Sequence, residues 1–270
     1  MGRVFLCLWF ASISGGLGVV VVYALRDEFL LVRREVRDGM YPAAAYVAAH
    51  TLLQVPLMVA LSLAVLGVPA YAIANFHAPK FATLLLAYSA QLWAFECIAQ
   101  LISVAVGDAL VGCLVHIGAW FSSFLYSGII LAEDQIVWPF RLLVFASPVR
   151  WGVSAMIHAE FVDAPPFAGA KACGSGGAGG ASNATSAAAD SRCARDGFYC
   201  PGDRTGGLEC FGRDGADVLA SLHVSYPAID PRDHVARDVG ANLAIALVCK
   251  LVFVAVFTAK CRAAKPPQPR

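Results

Sequence analysis

The chain is 270 residues long, 59% hydrophobic and only 14% charged, with a formal net charge of +1. Soluble domains carry about 25% charged residues, so the composition excludes an ordinary soluble globule and places the chain in the membrane class. A balance so close to neutral gives no basis for nucleic-acid binding.

Five apolar runs follow one another, each long enough for the roughly 20 helical residues that cross a hydrocarbon core of about 30 Å. They cover residues 4–25, 46–74, 81–106, 109–132 and 239–259. The first is too long for the apolar core of a signal peptide and reads as a true span. A sixth run, 136–158, is interrupted by Pro139, Arg141, Pro148 and Arg150 and reads as a re-entrant helix pair. The fold class expected is an all-α integral membrane protein. It would have about five transmembrane helices, a cytoplasmic connecting helix, the re-entrant pair and a Cys-containing extracytoplasmic loop. In domain terms, residues 1–160 hold the first four spans, 161–238 the loop, 239–259 the last span and 260–270 a short tail.

Between the first two runs lies "RDEFLLVRREVRDG", residues 26–39, with four basic and four acidic side chains. Phe29, Val32, Val36 and Met40 recur at helical spacing, which predicts an amphipathic helix over 26–40 at the membrane interface, ending at Gly39. Pattern alone fits equally a solvated linker helix whose charges cancel.

Orientation follows from Lys and Arg near the span ends. Arg26, Arg33, Arg34, Arg37, Lys260, Arg262, Lys265 and Arg270 fall on one side; Arg3, Lys80, Arg141 and Arg150 fall on the other. The richer side, with the C-terminus, is expected to be cytoplasmic and loop 161–238 extracytoplasmic. Asn183-Ala184-Thr185 is a glycosylation acceptor of use only on that outer side. Cys173, Cys193, Cys200 and Cys210 crowd into the same loop and are disulfide candidates there, with three connectivities open. They are not spaced as two C-x-x-C pairs, so no metal site is expected. The first half of the loop is Gly/Ala/Ser-rich, whereas the second half has aromatics enough to fold locally.

Within the spans, Ser89, Glu96, Gln100 and Ser103 share one helix face, and an intramembrane acid is a functional suspect. Lys250 in the last span is a candidate partner for Glu96; it could equally snorkel or face a cavity, and the polar stripe could be interhelical glue. No nucleophile–base pair stands out, so no catalytic residue is expected.

The order Glu28, Arg34, Glu35, Gly39, Met40, Tyr41, then Tyr46 opening a span and Pro56 within it, resembles the G-type ABC exporters, the white/pleiotropic-drug-resistance subfamily. "SPVRWGVSAMIHAEF", residues 147–161, resembles that family's Ser/Asn-Pro…Glu-Phe segment. The resemblance extends from about the family's second span to its sixth. The chain departs from the family at Gln54-Val55-Pro56, where acidic-x-Pro is common, and at Phe29, where Arg is usual. It contains no G-x-x-x-x-G-K-[ST] phosphate loop, and "SISGGLG" at 12–18 lies within an apolar span, where small residues serve packing.

The resemblance implies a membrane subunit that exports lipid-like, sterol or xenobiotic molecules. ATP and Mg would be bound by a nucleotide-binding domain outside this chain, which itself carries no cofactor. The partners implied are that domain, a second transporter half in a homo- or heterodimer, the bilayer, and a hydrophobic or amphipathic substrate. Glu28, Arg33, Arg34, Glu35 and Arg37 would couple to the ATPase domain, and Phe121, Phe124 and Tyr126 would line a substrate cavity. The location expected is multi-pass, in the plasma membrane or an endomembrane. The alternative is a non-transporting membrane protein that dimerises with full transporters and modulates them.

Overall fold

A computed structural model describes residues 2–76, 78–131, 133, 136–164, 171–172, 198–199, 212 and 214–263. Helix α1 spans Gly2–Arg37, α2 Ala43–Val65, α3 Phe81–Ala105, α4 Ala109–Leu125, α5 Arg141–Ala146, α6 Pro148–Phe161, α7 Gly215–Ser225 and α8 Val235–Ala263. Two short strands, β1 (Lys171–Ala172) and β2 (Phe198–Tyr199), pair antiparallel. Four helices, α1, α2 with its extension, α3 and α8, are long and apolar enough to cross a membrane. The all-α membrane architecture expected from composition is therefore present.

Three boundaries differ from the sequence expectations. No break separates the first span from the charged segment, because α1 continues to Arg37 as one rod of 36 residues. At 1.5 Å per residue such a rod is about 54 Å long, well beyond a hydrocarbon core. Residues 19–37 contain neither Pro nor Gly, so nothing interrupts the hydrogen-bond ladder until Gly39, which turns the chain with a φ of 82°. The expected interfacial helix over 26–40 is instead the projecting end of α1.

The second difference lies in α2. Its apolar helix runs on to Ile73, but from Leu66 it widens into a π-type turn around Pro69. Proline offers no N–H and crowds the preceding turn, and the wider coil gives its ring room; the segment closes with bonds from Ala74 N–H to the Pro69 carbonyl and from Phe76 N–H to the Ala70 carbonyl, both 3.1 Å. Pro56 remains within regular α-helix. Third, α4 ends at Leu125 rather than 132, giving a helix of 17 residues. Gly128 there adopts a φ of 81°, which closes the turn. Asp108 starts the same helix, its carboxylate accepting from Val111 N–H at 3.0 Å.

Helix α3 is the hub, packed against α1, α6, α8, α2 and α4. Its buried face carries small side chains (Ala87, Ala90, Ala94 and Ala99) that admit neighbouring helices closely. Helix α6, the second member of the expected helix pair, is buried along nearly its whole length against α3 and α8. Pro148 occupies its first turn, where a missing N–H costs nothing, and the Ser147 side chain caps it. At the same end of the bundle, Glu160 holds Arg3 across from α1, and Lys80 meets Asp163 at 2.9 Å. That pairing raises the Lys80 pKa.

The glycine segment 12–18 is a packing surface. Trp120 Nε1 donates to the Ser12 carbonyl at 2.8 Å, Gln91 Nε2 to the Ala11 carbonyl at 2.7 Å, and His116 Nε2 lies 2.9 Å from the Gly15 carbonyl. A Cβ on Gly15 would sit 1.8 Å from the Trp120 ring, and one on Gly18 2.2 Å from His116. Both glycines are required by that approach. In the loop, α7 buries Leu219 and Leu222 against Ile229, while the disulfide candidates Cys173, Cys193, Cys200 and Cys210 and the acceptor Asn183 lie outside the described residues. Cys7, Cys97, Cys113, Cys249 and Cys261 are free thiols.

Candidate functional site

Two regions carry the polar chemistry. The first is the charged elbow at the end of α1. Tyr46, on the first turn of α2, donates its hydroxyl to Glu28 at 2.7 Å, and Tyr41 donates to Glu35. The bond to Glu35 is the chief reason the Tyr41 phenol is pushed up to about 12, so it stays protonated and keeps donating at neutral pH. Between these bonds Phe29 is buried in an aromatic cluster, its ring 5.5 Å from Phe253, 5.5 Å from Phe257 and 6.1 Å from Tyr46. Phe29, Val32 and Val36 thus face α2 and α8, and Met40 is exposed. An Arg at position 29 would have to bury a charge among these rings.

The five elbow residues therefore divide. Glu28 ties α1 to α2 and Glu35 ties it to the turn before α2; Arg34 and Arg37 are exposed, Arg37 lying 3.5 Å from Asp38; Arg33 turns toward α8. Arg26 donates to the Gly107 carbonyl at 2.6 Å, and Lys260 to the Val104 and Ala105 carbonyls, so two cations close the C-terminal end of α3.

The second region lies midway along the spans. Lys250 Nζ donates to Gln100 Oε1 at 2.7 Å and to Gln54 Oε1 at 3.4 Å. Gln100 in turn donates to Glu96 at 3.5 Å. The direct Glu96–Lys250 pair considered from sequence does not form; Gln100 stands between the two side chains and uses both ends of its amide. The cluster is well buried, with Gln100 at 0%, Gln54 at 3%, Lys250 at 7% and Glu96 at 8% exposure. Ser103 is buried on the same face, and Ser89 reaches Ser62 of α2 at 2.9 Å.

Gln54 is the member that sequence reasoning missed. It was visible as the polar step before Pro56, and the signal for its burial was the spacing of Gln54, Met58 and Ser62, which fall on the buried face of α2. Lys250 also borders a groove of about 900 Å³ between α2 and α8, walled by Val47, Thr51, Leu52, Val55 and Val254. Of the aromatic trio, Phe121 points outward from α4, Phe124 packs on the core, and Tyr126 follows the last turn of α4, partly buried. Among the described residues no His/Cys/Asp/Glu group is arranged to hold a metal.

A search of curated proteins returns no match to this chain. The family model of the ABC-2 type transporter matches residues 1–161, from the start of α1 to the last residue of α6. With a match over more than half its length, and with four membrane-length apolar helices, the chain belongs to the ABC-2 type transporter family and is a membrane-spanning part of an ABC-type transporter.

Proposed function

We propose that the chain is the export channel half of a G-type ABC transporter, moving lipid-like, sterol or xenobiotic substrates with energy from a nucleotide-binding domain outside these residues. The observation that carries this reading is the elbow. Helix α1 projects past its apolar run, presents Arg34 and Arg37 outward, and is bound to α2 through Glu28–Tyr46 and to the turn entering α2 through Glu35–Tyr41. Exposed charge gives a polar contact of defined register for an ATPase domain, and the two phenol–carboxylate bonds carry its displacement into α2. Phe29 extends the same link to α8. Closure of an ATP-bound partner would then tilt α1, α2 and α8 together, a rigid-body motion between inward- and outward-facing states. Pairing with a second half, a cytoplasmic elbow and an extracytoplasmic loop complete the proposal.

Arg34→Glu tests it. The side chain has no hydrogen bond or ion pair among the described residues, so the fold should be kept. Like charges set against each other at an interface cost several kcal/mol, so transport per ATP by the assembled complex is expected to fall at least about tenfold at normal surface expression. Unchanged transport would sink the coupling role and favour a chain that only modulates full transporters.

A further inference from the structure

Where the apolar runs of α1, α3 and α8 end, three basic side chains converge on one pocket of about 300 Å³: Arg26 and Arg33 from α1 and Lys260 from α8. We propose that this pocket binds the phosphate headgroup of an anionic membrane lipid. Its remaining walls are largely apolar, with Phe29, Leu30 and Phe257 among them, and no carboxylate lines it. Among the described residues none of the three cations is in an ion pair.

Arg26 and Lys260 have a structural role, since their partners are the carbonyls at the end of α3. Arg33 has none: it makes no hydrogen bond within the described chain, yet it lies half-buried beside them. Like charges held this close repel, and a shared anion removes the repulsion. A phosphate suits several N–H donors at once, with Arg able to grip it through two parallel bonds. Depth selects the source. The last apolar residues before the pocket are Leu25 on α1, Val106 after α3 and Ala259 on α8, which places the cations at the plane where lipid phosphates lie. The apolar walls then receive the glycerol and the first carbons of the acyl chains. This assignment needs only that the helices span a bilayer, and it holds whether or not the elbow couples to an ATPase.

Native mass spectrometry of the full chain in detergent, titrated with phosphatidic acid or phosphatidylcholine, tests it. Phosphatidic acid is expected to be retained at least about tenfold better, since each basic residue near a membrane surface contributes roughly a fivefold preference for anionic lipid. Arg33→Gln, which removes no internal bond, should lower that preference roughly fivefold. Lys80→Gln, at the opposite end of the bundle, should leave it unchanged. Equal retention of the two lipids, or a preference that survives Arg33→Gln, overturns the proposal. Displacement of the bound lipid by excess inorganic phosphate alone would overturn the lipid assignment and mark the pocket as a free-phosphate site.

Discussion

Lys250 is tolerated in the middle of a span because two neutral amides, not an opposite charge, surround its ammonium. Gln100 is the nearer, and its other end meets Glu96, so one side chain separates the ammonium from the carboxyl while bonding both. Replacing it takes the nearer acceptor from Lys250 and the amide donor from Glu96. Gln100→Leu is expected to cost about 1–3 kcal/mol, the usual penalty for leaving a buried polar group without its hydrogen-bond partner. Adding Lys250→Met should recover part of that loss, because the ammonium that lost its nearer acceptor is then gone. Thermal melting of the four species of this double-mutant cycle in detergent gives the coupling. Additive losses would show that Gln100 and Lys250 do not act together.

At the scale of elements, α1 does two jobs in succession along one rod. Its first half is a docking surface made by small residues, whose carbonyls accept second hydrogen bonds from Gln91 and Trp120. In lipid, helices gain little from burying apolar surface against one another, so close packing and such bonds hold them together. Gly15→Leu should lower the melting temperature strongly, since its Cβ alone would overlap Trp120 and overpacking costs roughly 1–3 kcal/mol or more. Gly16→Ala, whose Cβ would meet nothing within 4 Å, should melt at or above the wild-type temperature. If both variants melt alike, the packing role of the Gly15 face fails. The second half of the rod is the elbow, where three helices are joined by aromatic contacts and phenol–carboxylate bonds. The stripe of Phe29, Val32 and Val36 was legible in the sequence, but its partner was not. Read as an interfacial helix the stripe would face lipid; in the bundle it faces α2 and α8.

For the molecule as a whole, the bundle gathers its cations toward the elbow end and closes the other end with Arg3–Glu160 and Lys80–Asp163. The asymmetry of basic residues supports an elbow facing the cytoplasm and a loop facing outward. With that orientation Asn183 is glycosylated in a eukaryotic membrane system, and a glycosidase should increase the mobility of wild type but not of Asn183→Gln. No shift would leave the orientation resting on charge alone.

What the sequence alone determined is the class of the protein, the number of apolar runs to within one, the charged elbow and the polar stripe of α3. Each of these is a property of spacing and composition along a single segment, where hydropathy and helical period act locally. Only the tertiary structure decided that the first span and the elbow are one helix, that Gln54 joins Gln100 and Lys250, and that Arg33 turns inward while Arg34 and Arg37 stay outside. Those outcomes depend on which helices become neighbours. Residues 54, 100 and 250 meet because α2, α3 and α8 pack side by side, and the spacing within any one helix carries no record of that choice.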